Sequence, residues 1–207
     1  MKPFVGNFCL VSIVLLYMFA RIQGQSQGIV TFDGSPNWVG TNYVESGMAF
    51  QLVVLQGPSL DYMGIVPPRT YQGVPQNTTA FIWWFCQNNP YNYVIFSLTS
   101  GGTFGLVSVQ LADPIAPSYT NLPISFIGYR IDGSSVTNTF VTPGGVANYF
   151  VSYQFGPDFA SGLLSVRIDA PRWAMDNLVW VPEPGTWALL VIGVGTLGYV
   201  RFRRSKR

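Results

Sequence analysis

The stretch Thr103-Phe104-Gly105-Leu106-Val107-Ser108-Val109-Gln110-Leu111 decides the fold class of this 207-residue chain. Three apolar residues, Val107, Val109 and Leu111, alternate with two polar ones, Ser108 and Gln110. Strict alternation over this length predicts a half-buried β-strand that presents the three apolar side chains on one face. The preceding Ser100-Gly101-Gly102 is a turn signal, so the strand has a defined start.

Similar strand patterns recur along the interior of the chain, separated by turn signals that contain Gly, Pro or Asp. No interior stretch shows the 3.6-residue apolar period of a helix. Further strands are predicted over residues 48–55, 80–86, 93–98, 124–131, 136–141, 148–155, 163–169 and 173–181. Short strands with such turns predict an all-β protein, with a single jelly-roll-like β-sandwich over residues 27–180.

Composition and charge exclude several classes of protein. Apolar residues make up 48% of the chain and charged residues 10%, a balance opposite to that of disordered chains. The net charge of +2 conceals an acidic interior, because residues 25–181 contain four arginines and eight carboxylates. An acidic body with no basic stripe predicts that nucleic acid is not a partner.

The residue types that most enzymes need are scarce. Histidine is absent, which removes the commonest general base and the commonest transition-metal ligand. The chain has no Gly-x-Ser-x-Gly nucleophile motif, and Glu45 is the only glutamate of the interior. We therefore predict that the protein is not an enzyme. A glycoside hydrolase built from two carboxylates is the remaining catalytic alternative.

Residues 1–26 have the pattern of a secretory signal peptide. Lys2 precedes an apolar run over about residues 8–20, and small or polar residues follow Arg21. The pattern predicts a signal helix that engages the Sec export machinery, with cleavage after Gly24 or Ser26. An uncleaved N-terminal anchor is the alternative.

The C-terminal end, residues 181–207, has three parts. Val181-Pro182-Glu183-Pro184 comes first, and its prolines predict a break between the body and the tail. Residues 186–200 are nearly continuously apolar, which is at the short limit for a membrane-spanning helix. Five cations that predict a cytoplasmic C-terminus follow: Arg201, Arg203, Arg204, Lys206 and Arg207.

This order of Pro-Glu-Pro motif, apolar stretch and basic end resembles the PEP-CTERM sorting signal of Gram-negative bacteria. The resemblance implies that an exosortase, a membrane enzyme related to cysteine transpeptidases, recognises Val181, Pro182, Glu183 and Pro184, and that the five cations form the basic stop. It also implies an exported precursor anchored in the inner membrane by its C-terminal helix. The expected destination is the cell envelope, the outer surface or the extracellular matrix.

A second resemblance concerns the body of the chain. Tyr43-Val44-Glu45-Ser46-Gly47-Met48 and Trp173-Ala174-Met175-Asp176-Asn177-Leu178-Val179 resemble the paired first and last strands of galactose-binding-like jelly rolls. Such domains often hold a structural calcium ion between those strands, which implies Glu45 and Asp176 as ligands. The simpler alternative is that Asp176 and Asn177 hydrogen-bond a strand end. No other cofactor is expected.

The aromatic residues divide between core and surface. Trp83 and Trp84 are adjacent in a predicted strand, so they point to opposite faces. The polar and aromatic stretch 88–93 predicts an exposed loop in which Tyr91 and Tyr93 could contact a sugar ring. The leading hypothesis is a structural or interaction protein of the cell surface or matrix, and a carbohydrate-binding module for extracellular polysaccharide is the alternative.

Overall fold

A computed structural model describes residues 27–34, 37–55, 62–68, 77–85, 92–114, 121–143 and 149–183. The predicted signal helix, the apolar stretch 186–200, the basic end and Tyr91 lie outside these residues. Within the described part of the chain, no helix is long and apolar enough to cross a membrane. Residues 27–182 form one compact unit.

The described residues form β-strands joined by turns and loops, as the sequence patterns predict. A single 3-10 turn, Pro157–Phe159, interrupts them. The thirteen strands of the described part are β1 Gly28–Val30, β2 Val39–Gly40, β3 Asn42–Glu45, β4 Met48–Val53, β5 Tyr62–Val66, β6 Phe81–Phe85, β7 Tyr93–Leu98, β8 Phe104–Ala112, β9 Leu122–Arg130, β10 Ser135–Thr142, β11 Val151–Gln154, β12 Leu163–Asp169 and β13 Arg172–Pro182.

The strands form one continuous hydrogen-bonded network that divides into two antiparallel sheets. The first sheet has the order β2-β5-β6-β13-β8-β11, and β1 pairs with the second half of β13. The second sheet has the order β3-β4-β7-β12-β9-β10. Leu163 of β12 and Phe104 of β8 form the one residue pair that joins β12 to β8. The arrangement confirms an all-β, jelly-roll-like sandwich.

The core lies between the two sheets and is rich in aromatic rings. Phe96 of β7 and Phe104 of β8 meet across the layers with ring centroids 6.2 Å apart. Phe126 of β9 meets Phe155, which follows β11, at 5.1 Å in an edge-to-face contact. The 3-10 turn adds Phe159, which is fully buried against Phe155. Such contacts between inner faces are what hold a β-sandwich together.

The first strand differs from the sequence-based expectation. The segment 43–48 is not a strand paired with the end of the chain, because Ser46 and Gly47 both have positive φ, 49° and 78°. Two consecutive positive φ angles form the tight turn of a β-hairpin, so β3 pairs with β4. The strand that pairs with the second half of β13 is β1, whose three residues are too short to show alternation.

The strand predicted over residues 103–111, which is β8, differs from the prediction in which residues face the core. Val109 and Leu111 face the core as predicted, whereas Val107 is half-buried and Leu106 points inward instead. The register between β8 and β13 shifts twice, between Asp176 and Val179 and between Val179 and Trp180. Each shift marks a β-bulge, and a bulge reverses which residues point inward. Asn177, with φ of 46°, lies at the first of them.

The last strand, Arg172–Pro182, extends one residue beyond each end of the predicted strand 173–181. Val181 pairs with Gly105 and Pro182 pairs with Phe104, so β13 ends inside the Pro-Glu-Pro motif. Proline is tolerated at the end of a strand where one side of the backbone has no partner strand. Here β1 stops pairing at Trp180, and within the described residues only β8 pairs with Val181 and Pro182.

Candidate functional site

The outer faces of the two sheets differ sharply in exposure. On the first sheet, β13 is buried on both faces from Arg172 to Asp176. Its outward residue Ala174 contacts a small apolar cluster with Phe81 and Ala112. Trp83 lies half-buried beside this cluster, whereas Trp84 is in the core, which agrees with their predicted opposite directions.

Among the described residues, the outer face of the second sheet has accessible side chains on five neighbouring strands. The strand registers place Gln51, Ile95, Arg167, Ile127 and Thr137 in one row across five strands. All five side chains are half-buried or exposed. This face therefore offers an accessible surface of mixed apolar and polar character.

Arg167 lies at the centre of this open face. Its guanidinium carbon is 4.0 Å from the centroid of the Tyr93 ring, a cation–π contact. Its Nη2 donates a hydrogen bond to Oδ2 of Asp169 at 3.1 Å. The Arg167 and Asp169 side chains are 27% and 39% exposed, so the ion pair is accessible to solvent. We call Tyr93, Arg167 and Asp169 the Arg167 cluster.

Hydroxyl groups extend the Arg167 cluster toward the edge of the sheet. Asp169 pairs with Ser125, and Ser125 pairs with Thr139 on the edge strand β10. The Ser125 and Thr139 hydroxyl oxygens are 2.8 Å apart and hydrogen-bonded. An aromatic ring such as that of Tyr93 can stack on a ring-shaped ligand. The Arg167 guanidinium and the hydroxyls of Ser125 and Thr139 can form hydrogen bonds with the polar edge of such a ligand.

The structure brings only part of the predicted sugar-contact pair into this site. Tyr93 belongs to β7 rather than to a loop, and it takes part in the Arg167 cluster. Tyr91 lies outside the described residues. Sequence reasoning missed Arg167 and Asp169, although opposite charges two residues apart in a strand share one face and were a usable signal.

Glu45, a predicted calcium ligand, accepts hydrogen bonds from the backbone after β1 and from a side chain of β3. Its Oε1 accepts hydrogen bonds from the Thr31 amide at 3.1 Å and the Phe32 amide at 3.2 Å. Its Oε2 accepts one from the Tyr43 hydroxyl. Burial and this bond to the Glu45 carboxylate raise the pKa of Tyr43. The Glu45 carboxylate thus links β3 by hydrogen bonds to the residues that follow β1.

Asp176, the other predicted ligand, is fully buried beside the bulge in β13. Its Oδ2 accepts hydrogen bonds from the Asn77 amide at 2.6 Å and the Thr79 hydroxyl at 2.7 Å. Its Oδ1 accepts one from the backbone amide of Asn177 at 2.7 Å. Burial raises the pKa of Asp176, and the nearby Asp33 carboxylate raises it further, while the hydrogen bonds oppose both effects.

The hydrogen bonds of Glu45 and Asp176 go to different partners. Protein donors contact both oxygens of each carboxylate, and within the described residues no donor contacts both side chains. The described residues contain no group of three or more acidic, histidine or cysteine side chains that could hold a metal. Calcium at these residues stays a prediction, which melting temperatures measured with and without the ion would decide.

The buried Asp176 gives a prediction about pH. A carboxyl group with a raised folded pKa stabilises the fold most below its unfolded pKa, near 3.8, and loses that contribution as pH rises through the folded pKa. The stability advantage of wild type over Asp176→Asn should therefore shrink between pH 4 and pH 7. Urea unfolding of both proteins across this range measures the difference. An advantage that grows with pH would contradict the raised pKa.

Comparison with known proteins identifies the C-terminal end. The PEP-CTERM protein-sorting motif matches residues 181–205. The chain thus combines an all-β sandwich with a PEP-CTERM motif, as the sequence predicted. No curated protein matches the chain in sequence.

Solved structures of low sequence identity have partly similar folds. A family 29 carbohydrate-binding module is 12% identical, with 74% of this chain and 90% of that chain covered and a TM-score of 0.40. A CBM22-1 xylan-binding domain from Paenibacillus barcinonensis is 11% identical, covering 78% and 96%, with a TM-score of 0.42. A family 22 module from Clostridium thermocellum is 17% identical, covering 75% and 92%, with a TM-score of 0.41. Similarities at this level do not assign a function to this chain.

Proposed function

We propose that this protein is exported through the Sec machinery and sorted by an exosortase that acts on its C-terminal motif. The match of the PEP-CTERM motif to residues 181–205 carries this proposal. The apolar stretch 186–200 anchors the precursor in the inner membrane, and the basic end stays in the cytoplasm. After processing, the sandwich serves as a structural or interaction component of the Gram-negative cell envelope, outer surface or extracellular matrix.

The sorting proposal is tested by changing the motif in the full chain. Replacing Glu183 and Pro184 with alanine should retain the tail and remove the protein from the surface fraction of cells that contain an exosortase. Replacing the solvent-exposed Asp158 with alanine is the control and should leave sorting unchanged. Mass spectrometry of the surface form measures its C-terminus. A wild-type surface form that still carries residues 184–207 would contradict the proposal.

The body has a non-catalytic role in this proposal. Asp113 binds Arg172, Asp169 binds Arg167, and Asp176 is fully buried with both oxygens engaged. A general acid must reach the substrate, so Asp176 cannot serve as one despite its raised pKa. Release of reducing ends from any polysaccharide by the purified protein would revive the glycoside hydrolase alternative.

A second candidate function is carbohydrate binding at the open face of the second sheet. The Arg167 cluster favours it, because a half-buried aromatic ring lies beside a charged hydrogen-bonding group. Asp169 balances the charge of Arg167, and the interior of the chain is acidic. These charges favour a neutral polysaccharide over an acidic one, which the body would repel.

Carbohydrate binding predicts that Tyr93→Ala and Arg167→Ala each weaken polysaccharide binding about tenfold or more, since aromatic and arginine anchors dominate most interfaces. Tyr149→Ala is the matched control, because Tyr149 is 51% exposed and is not part of the Arg167 cluster. Affinity electrophoresis in gels that contain the host's polysaccharide measures the effect. Equal losses in all three variants, or no retardation of wild type, would contradict this candidate.

A further inference from the structure

The sorting motif and the folded sandwich overlap by two residues. The motif match begins at Val181, and β13 ends at Pro182. Val181 and Pro182 are half-buried, and they pair with Gly105 and Phe104 of β8. An enzyme that reads the motif as an extended segment must bind backbone that the sandwich itself already pairs.

The β8 side of this pairing is held firmly. Phe104 is fully buried and also pairs with Leu163 of β12, so it lies where the two sheets join. A Cβ atom at Gly105 would lie 1.9 Å from the Ala160 carbonyl oxygen, which shows how closely the end of the 3-10 turn covers β8. The start of β8 therefore cannot move away without disturbing the core.

The β13 side is the weaker partner. Trp180 is the last residue of β13 that pairs on both sides, with Leu106 of β8 and Gly28 of β1. A Cβ atom at Gly28 would lie 2.3 Å from the Trp180 ring, so the indole rests directly on the β1 backbone. Beyond this anchor, Val181 and Pro182 pair within the described residues only with β8, and proline supplies no backbone donor. The strand should open from its end and stop at Trp180.

We infer that the sorting enzyme binds the motif only after Val181 and Pro182 separate from β8, so that the sandwich regulates access to its own sorting signal. This inference rests on the proposed sorting function. The recognised segment then consists of the freed end of β13 together with the residues that follow it, and Trp180 marks the limit of the opening. The rate of processing is then the rate for the open form multiplied by the fraction of molecules whose strand end is open.

The inference is tested by moving the motif off the strand in the full chain. Inserting Gly-Ser-Gly-Ser between Trp180 and Val181 keeps residues 181–207 intact and lets the inserted residues take the place beside β8. We expect tail removal at least about threefold faster than in wild type, because every molecule is then open to the enzyme. Pulse-chase labelling in exosortase-containing cells, with mass spectrometry of the C-terminus, measures the rate.

The control carries the same insertion after Asp132, in the exposed turn between β9 and β10. It should be processed at the wild-type rate, and melting temperatures of both insertion variants confirm that they fold. Equal rates for wild type and the Trp180 insertion would overturn the inference while leaving the sorting function intact. Absence of tail removal in all three proteins would overturn the sorting function, and the inference with it.

Discussion

Replacing Gly105 with alanine is expected to lower the free energy of unfolding by about 3 kcal/mol, the upper range for overpacking a close-packed site. The added Cβ atom would lie 1.9 Å from the Ala160 carbonyl oxygen and 2.4 Å from its carbon. Both atoms belong to backbone, so no side-chain rotation relieves the clash. The 3-10 turn would have to move outward, and it carries the fully buried Phe159 into the core.

Gly102→Ala is the matched control for Gly105→Ala. A Cβ atom at Gly102 would meet nothing closer than the Ser100 hydroxyl at 3.8 Å, and the backbone there does not require glycine. The free energy of unfolding of Gly102→Ala should therefore lie within about 0.5 kcal/mol of the wild-type value. Urea unfolding of the three proteins measures the difference. A Gly105→Ala protein as stable as wild type would show that the turn is not packed on β8 as described.

Sequence patterns predict the long strands of this fold well and the short ones poorly. The predicted strands 93–98 and 163–169 coincide with β7 and β12, because each is a run of at least six residues rich in strand-forming types. β1, β2 and β3 have between two and four residues, which is too few for a period to show. Their positions depend on partners distant in sequence, as in the pairing of β1 with β13.

The residues of the candidate site also differ in whether the local sequence could predict them. Tyr93 could be selected from its residue type, but Arg167 becomes significant only when β12 lies beside β7. That pairing joins residues about 70 positions apart, and no local pattern encodes it. Likewise, Asp176 lies on the same outward face of β13 as Ala174, and the distant residues Asn77 and Thr79 cover it, which no local pattern encodes.

Removing one partner of the buried ion pair between Arg172 and Asp113 is expected to cost about 3–5 kcal/mol. Arg172 Nε donates to Asp113 Oδ1 at 2.9 Å, and Nη2 donates to Oδ2 at 3.1 Å. Each side chain is only 8% exposed, so the charge that Asp113→Ala leaves behind stays out of water. The pair also connects the first residue of β13 with the residue that follows β8, so its loss loosens the first sheet at its centre.

The surface pair of the Arg167 cluster provides the control for this prediction. Arg167 and Asp169 are 27% and 39% exposed, so Asp169→Asn should cost no more than about 1 kcal/mol. Replacing both buried partners, as in Asp113→Ala with Arg172→Met, should cost less than the two single changes added together, because neither charge is then left unpaired. Urea unfolding of the five proteins gives the coupling energy. Strict additivity of Asp113→Ala and Arg172→Met would mean that the two side chains do not act as a pair.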